Sequence, residues 1–174
     1  YMKTITIIIS ILLTTSLFSQ VKKEVENGVW VTFPDTPVYN VAQGMRQYAT
    51  ATEEVLFLVQ ITEIPNRVEY LTMERNLSES EKKQLADRLL NGFVQGVMAN
   101  SGNEAQVQPI KKGNFYGRKM SYSAINPATG EVGKRSVVVL AVRGKIVAFM
   151  CMQLSDSQEA RSEVNTFLNS IAVK

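Results

Sequence analysis

The chain has 174 residues, with 19 Lys and Arg against 16 Asp and Glu, one Cys and no His. This length fits one domain plus a short terminal segment, and a net charge of +3 does not favour nucleic acid or an anionic membrane as a partner. The absence of His argues against histidine-dependent catalytic triads and, together with the single Cys, against zinc, copper and iron sites and an intramolecular disulfide.

The first 19 residues have the pattern of a secretory signal peptide. Met2 and Lys3 give a short basic start, an uncharged and mostly apolar run follows over residues 4–18, and Ser19 is a small residue at its end. The apolar run is shorter than the roughly 20 residues that a membrane span needs. We therefore expect cleavage near Ser19, a single domain over residues 20–174, and a periplasmic or secreted protein. It would meet the membrane only through the signal peptide during export.

Strand signals dominate the first part of the domain. Residues 28–33 combine β-branched and aromatic side chains, and Pro34 ends this strand. Residues 38–52 predict one or two weakly apolar strands, which suits the edge of a sheet. Residues 55–61 predict the first strand that is apolar on both faces.

A long helix is predicted to begin at Ser78. Glu81 stands three residues later, so the two side chains can form a capping box. An apolar stripe follows, and Gly92 and Gly96 lie beside it. Because glycine in a helix interior costs about 1 kcal/mol, we expect these two glycines to mark a close approach to a sheet. The stripe consists of Leu85, Leu89, Phe93 and Val97.

The second half predicts more strands and a closing helix. Strands are expected at residues 107–111 and 115–124, then a turn at 126–130, then a hairpin of 135–142 and 146–154 around Arg143 and Gly144. Asp156 is expected to cap the last helix, with Glu159 as its capping-box partner. A short tail strand is predicted near residues 171–173. The buried stripe of that helix is predicted to be Ala160, Val164, Phe167, Leu168 and Ile171.

Three predicted strands carry apolar residues on both faces, which means that both faces of the sheet must be covered. They span residues 55–61, 136–142 and 146–154. The two amphipathic helices and the N-terminal segment are the available covers. The sequence therefore predicts an α+β fold in which a mostly antiparallel central sheet is flanked by helices, that is, an α/β/α sandwich.

Several short motifs, together with this order of elements, resemble the PsbP-like domains, small secreted domains whose fold is shared with a Ran-binding nuclear import factor. The motifs are Phe33-Pro-Asp-Thr-Pro37 after the first strand, Ile64-Pro65, Phe115-Tyr-Gly-Arg118, and the closing Phe167-Leu-Asn-Ser-Ile171. The resemblance implies an α/β/α sandwich. Its motifs are structural, so it implies no functional residue, although photosynthetic members assist a manganese complex.

The search for catalytic motifs gives no assignment. Cys151 lies in an apolar strand and no His can activate it, so we interpret it as a buried structural thiol. Residues 130–136 faintly resemble a phosphate loop, but that pattern needs Gly at position 128 and Ser or Thr at position 135, where this chain has Ala128 and Arg135. The three aspartates form no calcium-binding loop. We therefore predict no cofactor and no metal. A hydrolase that uses two carboxylates or a Ser-Lys pair, and a small-molecule carrier, stay open as alternatives.

The charges are unevenly distributed, and residues 101–150 are strongly basic. These bases either protect strand edges or form a face that binds an acidic partner. On the second interpretation the candidate binding residues are Arg118, Lys119, Lys134 and Arg135. Arg118 shares the more apolar face of its strand, where it would stack on a tyrosine or pair with an acid. The sequence thus favours a non-enzymatic binding or accessory domain whose partner is a protein or an envelope component, and not nucleic acid.

Overall fold

The computed structural model describes residues 20–101, 105–125 and 130–174. The predicted signal peptide lies outside these residues, as does most of the turn predicted at 126–130. The strands are β1 (Val21–Glu26), β2 (Val29–Phe33), β3 (Val38–Ala42), β4 (Met45–Ala51), β5 (Val55–Glu63), β6 (Gln106–Lys112), β7 (Phe115–Ile125), β8 (Val132–Ala141), β9 (Lys145–Gln153) and β10 (Ala172–Val173). The helices are α1 (Arg67–Glu74), α2 (Glu79–Asn100) and α3 (Gln158–Asn169).

Seven strands form a large antiparallel sheet in the order β3-β4-β5-β9-β8-β7-β6. Two of its hairpins have two-residue turns in which both residues take a positive φ: Gln43 and Gly44 (52° and 77°), and Arg143 and Gly144 (48° and 71°). Such turns match the twist of the strands that they join. The predicted hairpin around Arg143 and Gly144 is therefore confirmed. The edge position predicted for residues 38–52 is confirmed for β3, which ends the sheet, whereas β4 lies between β3 and β5.

One face of the large sheet is covered by α3 and by a small second sheet of order β1-β2-β10. Phe167 of α3 lies at the centre of this core, with its ring 5.4 Å from that of Phe33 and 5.0 Å from that of Phe57. The stripe predicted for the last helix is buried as expected. The predicted tail strand is also confirmed, since β10 pairs with β2.

The other face carries α2, which packs on β7 and β8. The predicted capping box is present: Ser78 accepts a hydrogen bond from the Glu81 amide, and the Glu81 carboxylate accepts one from the Ser78 amide at 2.8 Å. The predicted stripe packs on the sheet: Leu85 is buried, and Leu89, Phe93 and Val97 are half-buried against the core. Because positions four apart drift around a helix of 3.6 residues per turn, Leu90 and Val94 are more buried than the later members of the stripe.

Two elements and one helix cap differ from the sequence prediction. The strand β1 and the helix α1 were not predicted. The helix α3 begins after Ser157, whose hydroxyl accepts a hydrogen bond from the Ala160 amide at 2.9 Å, so the prediction of Asp156 as its cap is wrong. Asp156 instead pairs with Arg161.

The α+β fold with helices on both faces of a mostly antiparallel sheet is confirmed, but the predicted double cover holds only in part. Residues 137–141 of β8 are all buried. In β5, Leu56 stays 38% exposed while Val55 and Phe57 are buried, so this strand is covered on one face only. No helix of the described residues is long and apolar enough to cross a membrane.

Candidate functional site

Within the part of the chain that the structure describes, no element covers half of the α2-bearing face of the large sheet. We call this area the open face. It comprises twelve positions, and each of them is partly or fully exposed. They lie on one side of the sheet because antiparallel partners share a face. The twelve positions are Val38, Asn40, Ala42, Met45, Gln47, Ala49, Ala51, Leu56, Leu58, Gln60, Thr62 and Met152, and none of them is charged.

Apolar side chains are contiguous across the open face. Leu56 lies between Ala51 and Met152 in the register of the sheet. Two residues further along β5, Leu58 has Ala49 of β4 as its partner, and Ala49 is in turn the partner of Val38 on β3. Val38 stands at the sheet edge and is 71% exposed. Single exposed apolar residues are common on protein surfaces, whereas a contiguous uncharged patch is typical of an interaction surface.

A groove beside α2 borders this surface. Gly92, Gly96 and Phe93 form its helix side, Tyr122 and Arg135 belong to its sheet side, and its volume is about 550 Å³. The expectation that the two glycines touch the sheet is wrong. Both are exposed, and no atom of another described element lies within 4 Å of where a Cβ would stand. These two glycines therefore do not serve close packing between α2 and the sheet.

Arg135 connects the groove with the open face. It pairs in register with Tyr122 on β7 and with Met152 on β9, so its side chain shares their face. Its Nε is buried without a hydrogen-bond partner, and its Nη2 donates a long bond of 3.4 Å to the Ile125 carbonyl. None of the ion pairs between described residues involves Arg135. A positive charge thus stands at the margin of an uncharged apolar surface.

Arg118 lies on the same face as Arg135 but under α2. Its guanidinium donates to Asp87 at 2.8 Å and to Asn91 at 3.3 Å, so it joins β7 to the helix by pairing with an acid. Hydrogen bonds from Lys83 and then from Arg118 outweigh desolvation and lower the pKa of Asp87. The carboxylate therefore stays ionised between two cations.

Lys119 and Lys134 are on the opposite face. Lys119 pairs in register with Val138, which belongs to the core beneath α3, and Lys134 lies four residues before Val138 on the same strand. Both lysine side chains are exposed. The four candidate binding residues therefore do not form one patch, because alternation along the strands separates them into two pairs.

The strongest internal charge cluster joins the two sheets. Lys145 Nζ lies 2.9 Å from Glu26 Oε2 and 3.5 Å from Glu63 Oε1, and Arg46 also pairs with Glu26. A buried lysine can serve as a catalytic base, but the ammonium group of Lys145 is held by carboxylates. The cluster thus acts as a structural link between β1 and the large sheet.

Two further features bear on catalysis. Cys151 is a buried free thiol, and burial raises its pKa, which disfavours the reactive thiolate. A cleft of about 230 Å³ between β2 and α3 contains the carboxylate of Glu163, which accepts a hydrogen bond from Thr52 at 2.6 Å. One carboxylate does not supply the pair that glycoside hydrolysis needs. Among the described residues, no group of three or more acidic or cysteine side chains could hold a metal ion.

Comparison with known proteins identifies the fold. No protein-family model matches the chain, and no curated protein matches it in sequence. The solution structure of cyanobacterial PsbP (CyanoP) from Synechocystis sp. PCC 6803 matches it with a TM-score of 0.52 and 15% sequence identity. The match covers 92% of this chain and 96% of that one. The chain therefore has a PsbP-like fold, as the sequence motifs suggested.

Proposed function

We propose that this chain is a non-enzymatic binding or accessory domain that docks a protein partner on its open face. We further propose that it works in the periplasm or outside the cell, in keeping with the signal-peptide pattern of residues 1–19. The observation that carries the proposal is the contiguous uncharged surface on β3, β4 and β5, to which β5 contributes Leu56 and Leu58. Removing such a surface from water is the main favourable term in protein association.

The margin of the surface supports a protein partner. Arg135 offers a guanidinium next to Met152 that takes part in no ion pair between described residues, so a carboxylate on the partner is a matching group for it. The open space where a Cβ of Gly92 would stand leaves room for a partner segment to lie close to the backbone of α2. Of the four candidate binding residues, Arg135 is thus the one adjacent to the open face.

A comparison of variants tests this proposal. The purified protein is immobilised and incubated with envelope extract of the source organism. The variant Leu56→Lys is tested in parallel, and Gln158→Lys, which adds the same charge at an exposed position of α3, is the matched control. We expect the wild type and the control to retain the same proteins and Leu56→Lys to lose them. Equal retention by Leu56→Lys, with its melting temperature unchanged, would refute the open face as the docking surface.

The same experiment separates the two faces of the sheet. Arg135→Gln is expected to weaken retention, whereas Lys119→Glu and Lys134→Glu are expected to leave it unchanged because they lie on the opposite side. A loss confined to Lys119→Glu and Lys134→Glu would instead support a basic surface as the binding site.

A further inference from the structure

The two ends of the large sheet are protected differently. At one end, β6 has Pro109 in its middle, which removes a backbone N–H, and Lys111 and Lys112 at its close. At the other end, β3 consists of five uncharged residues with no proline, and its side chains are largely exposed. Native proteins usually block an edge strand with charge or proline to prevent pairing with another chain. The edge at β3 has neither device.

The hairpin geometry identifies the backbone N–H and C=O groups of β3 that form no hydrogen bonds with β4. Ala42 and Met45 flank the two-residue turn, so they form a hydrogen-bonded pair. Alternation then directs the N–H and C=O groups of Asn40 and Val38 toward β4. The corresponding groups of Tyr39 and Val41 point out of the sheet, and their side chains are 51% and 55% exposed.

We propose that β3 pairs with β3 of a second copy, antiparallel and about a two-fold axis through Asn40, so that the two sheets become continuous. In this register Tyr39 of each copy faces Val41 of the other. These two pairs use the outward backbone groups for hydrogen bonds, and each combines an aromatic with a β-branched side chain, which is a favourable pair across strands. Asn40 meets Asn40 of the second copy on the opposite face of the strand.

Neighbouring registers are less favourable. Placing Tyr39 opposite Tyr39 of the second copy brings Val41 opposite Pro37, which has no N–H to donate. Placing Val41 opposite Val41 brings Tyr39 opposite the turn residue Gln43, where the strand has ended. The register centred on Asn40 keeps both apolar pairs within β3.

Electrostatics also favours a second copy as the occupant. Since β3 carries no charge, two copies meet without repulsion along the strand. Arg46, the partner of Val41 across the β3–β4 pair, is already paired with Glu26, so it brings no unpaired charge to the new contact. Tyr39 is already held against Tyr48, with ring centroids 5.0 Å apart.

The size of the contact sets the expected strength. An edge of five residues buries less than the roughly 1,200–2,000 Å² of a standard interface, so we expect a dimer that dissociates on dilution. It leaves the open face exposed in both copies, so this inference does not depend on the proposed function. Sedimentation velocity of the purified protein from about 1 µM to about 1 mM should show a rising dimer fraction.

Charge substitutions at the axis test the register. Asn40→Asp and Asn40→Lys each place like charges opposite each other at the axis of this dimer, so each is expected to be monomeric. An equimolar mixture of the two is expected to dimerise, and the uncharged control Asn40→Ser is expected to behave as the wild type. Val41→Pro, which removes an outward N–H while sparing the bonds to β4, is expected to be monomeric with an unchanged circular dichroism spectrum.

Three results would overturn the inference. The first is a wild type that stays monomeric up to about 1 mM. The second is a dimer that Asn40→Asp and Val41→Pro leave intact, which would place the contact elsewhere. The third is a dimer that is lost in Leu56→Lys but kept in Asn40→Asp, which would show self-association through the open face.

Discussion

Glu26 should be a key residue for stability, because it links the small sheet to the large one. Its carboxylate accepts hydrogen bonds from Lys145 at 2.9 Å and from Arg46, and the side chains of both Glu26 and Lys145 are 11% exposed. Glu26→Gln leaves Lys145 with Glu63, which is 3.5 Å away and mostly exposed. Breaking a buried ion pair costs about 3 to 5 kcal/mol. Because Arg46 is one-third exposed and Glu63 compensates in part, we expect a loss of about 2 to 3 kcal/mol.

Urea unfolding followed by circular dichroism measures this loss. For a domain of this size it corresponds to a melting temperature lower by about 5 to 10 °C. Glu53→Gln, at an exposed turn, serves as the control and should stay within about 0.5 kcal/mol of the wild type. The double variant Glu26→Gln with Lys145→Met should recover much of the loss, because it removes both buried charges. A Glu26→Gln variant as stable as the control would refute a structural role for the cluster.

The pH dependence checks the same reasoning independently. Desolvation by itself would raise the pKa of Glu26, but the hydrogen bonds from Lys145 and Arg46 outweigh it and lower the pKa below 4.5. A carboxyl group with a lowered pKa contributes its stabilisation above its ordinary pKa and loses it as the pH falls through the folded value. The stability gap between wild type and Glu26→Gln should therefore be constant above about pH 5 and shrink toward pH 3. A gap that does not change with pH would contradict the ion-pair explanation.

Three further predictions concern packing. Gly96→Ala should raise the free energy of unfolding by about 1 kcal/mol, because the site is helical and open; a loss of stability in urea would contradict this. Phe167→Ala should lower it by about 3 to 5 kcal/mol, since its ring lies between Phe33 and Phe57; a loss under about 1 kcal/mol would mean that the core can collapse around the gap. Cys151 should not react with a thiol reagent in the native protein and should react fully in urea; rapid native labelling would show that β9 opens.

The elements that the sequence predicted have local signals. The capping box at Ser78 and Glu81 and the turn at Arg143 and Gly144 depend on residues close together in the chain, so the pattern alone identifies them. The strand β1 was missed because only Val25 in it is fully buried and its other side chains are mostly charged. The helix α1 was missed because Tyr70 is its only buried residue. The contacts that tie these two elements to the rest of the fold come from distant residues: Lys145 pairs with Glu26 of β1, and the Arg143 carbonyl accepts a hydrogen bond from Arg67 of α1.

The candidate site depended on information that a linear pattern does not contain. The run of basic residues predicted one binding face, but strand alternation directed Arg118 and Arg135 to one side and Lys119 and Lys134 to the other. The salt bridge of Arg118 with Asp87 requires knowing that α2 crosses β7. The apolar character of β5 was visible in the sequence, but it indicated only that the strand avoids water, and not which element covers it.

The width of the sheet explains why α2 does not cover the open face. Seven strands about 4.8 Å apart span roughly 29 Å, whereas one helix covers about 10 Å. On one face α3 and the small sheet together are wide enough, but on the other α2 alone reaches only the half around β7 and β8. Strands left uncovered in this way normally direct polar side chains to the solvent. Here Val38, Ala49, Leu56 and Leu58 point outward and no charge stands among them, which is why we infer that a partner supplies the missing cover.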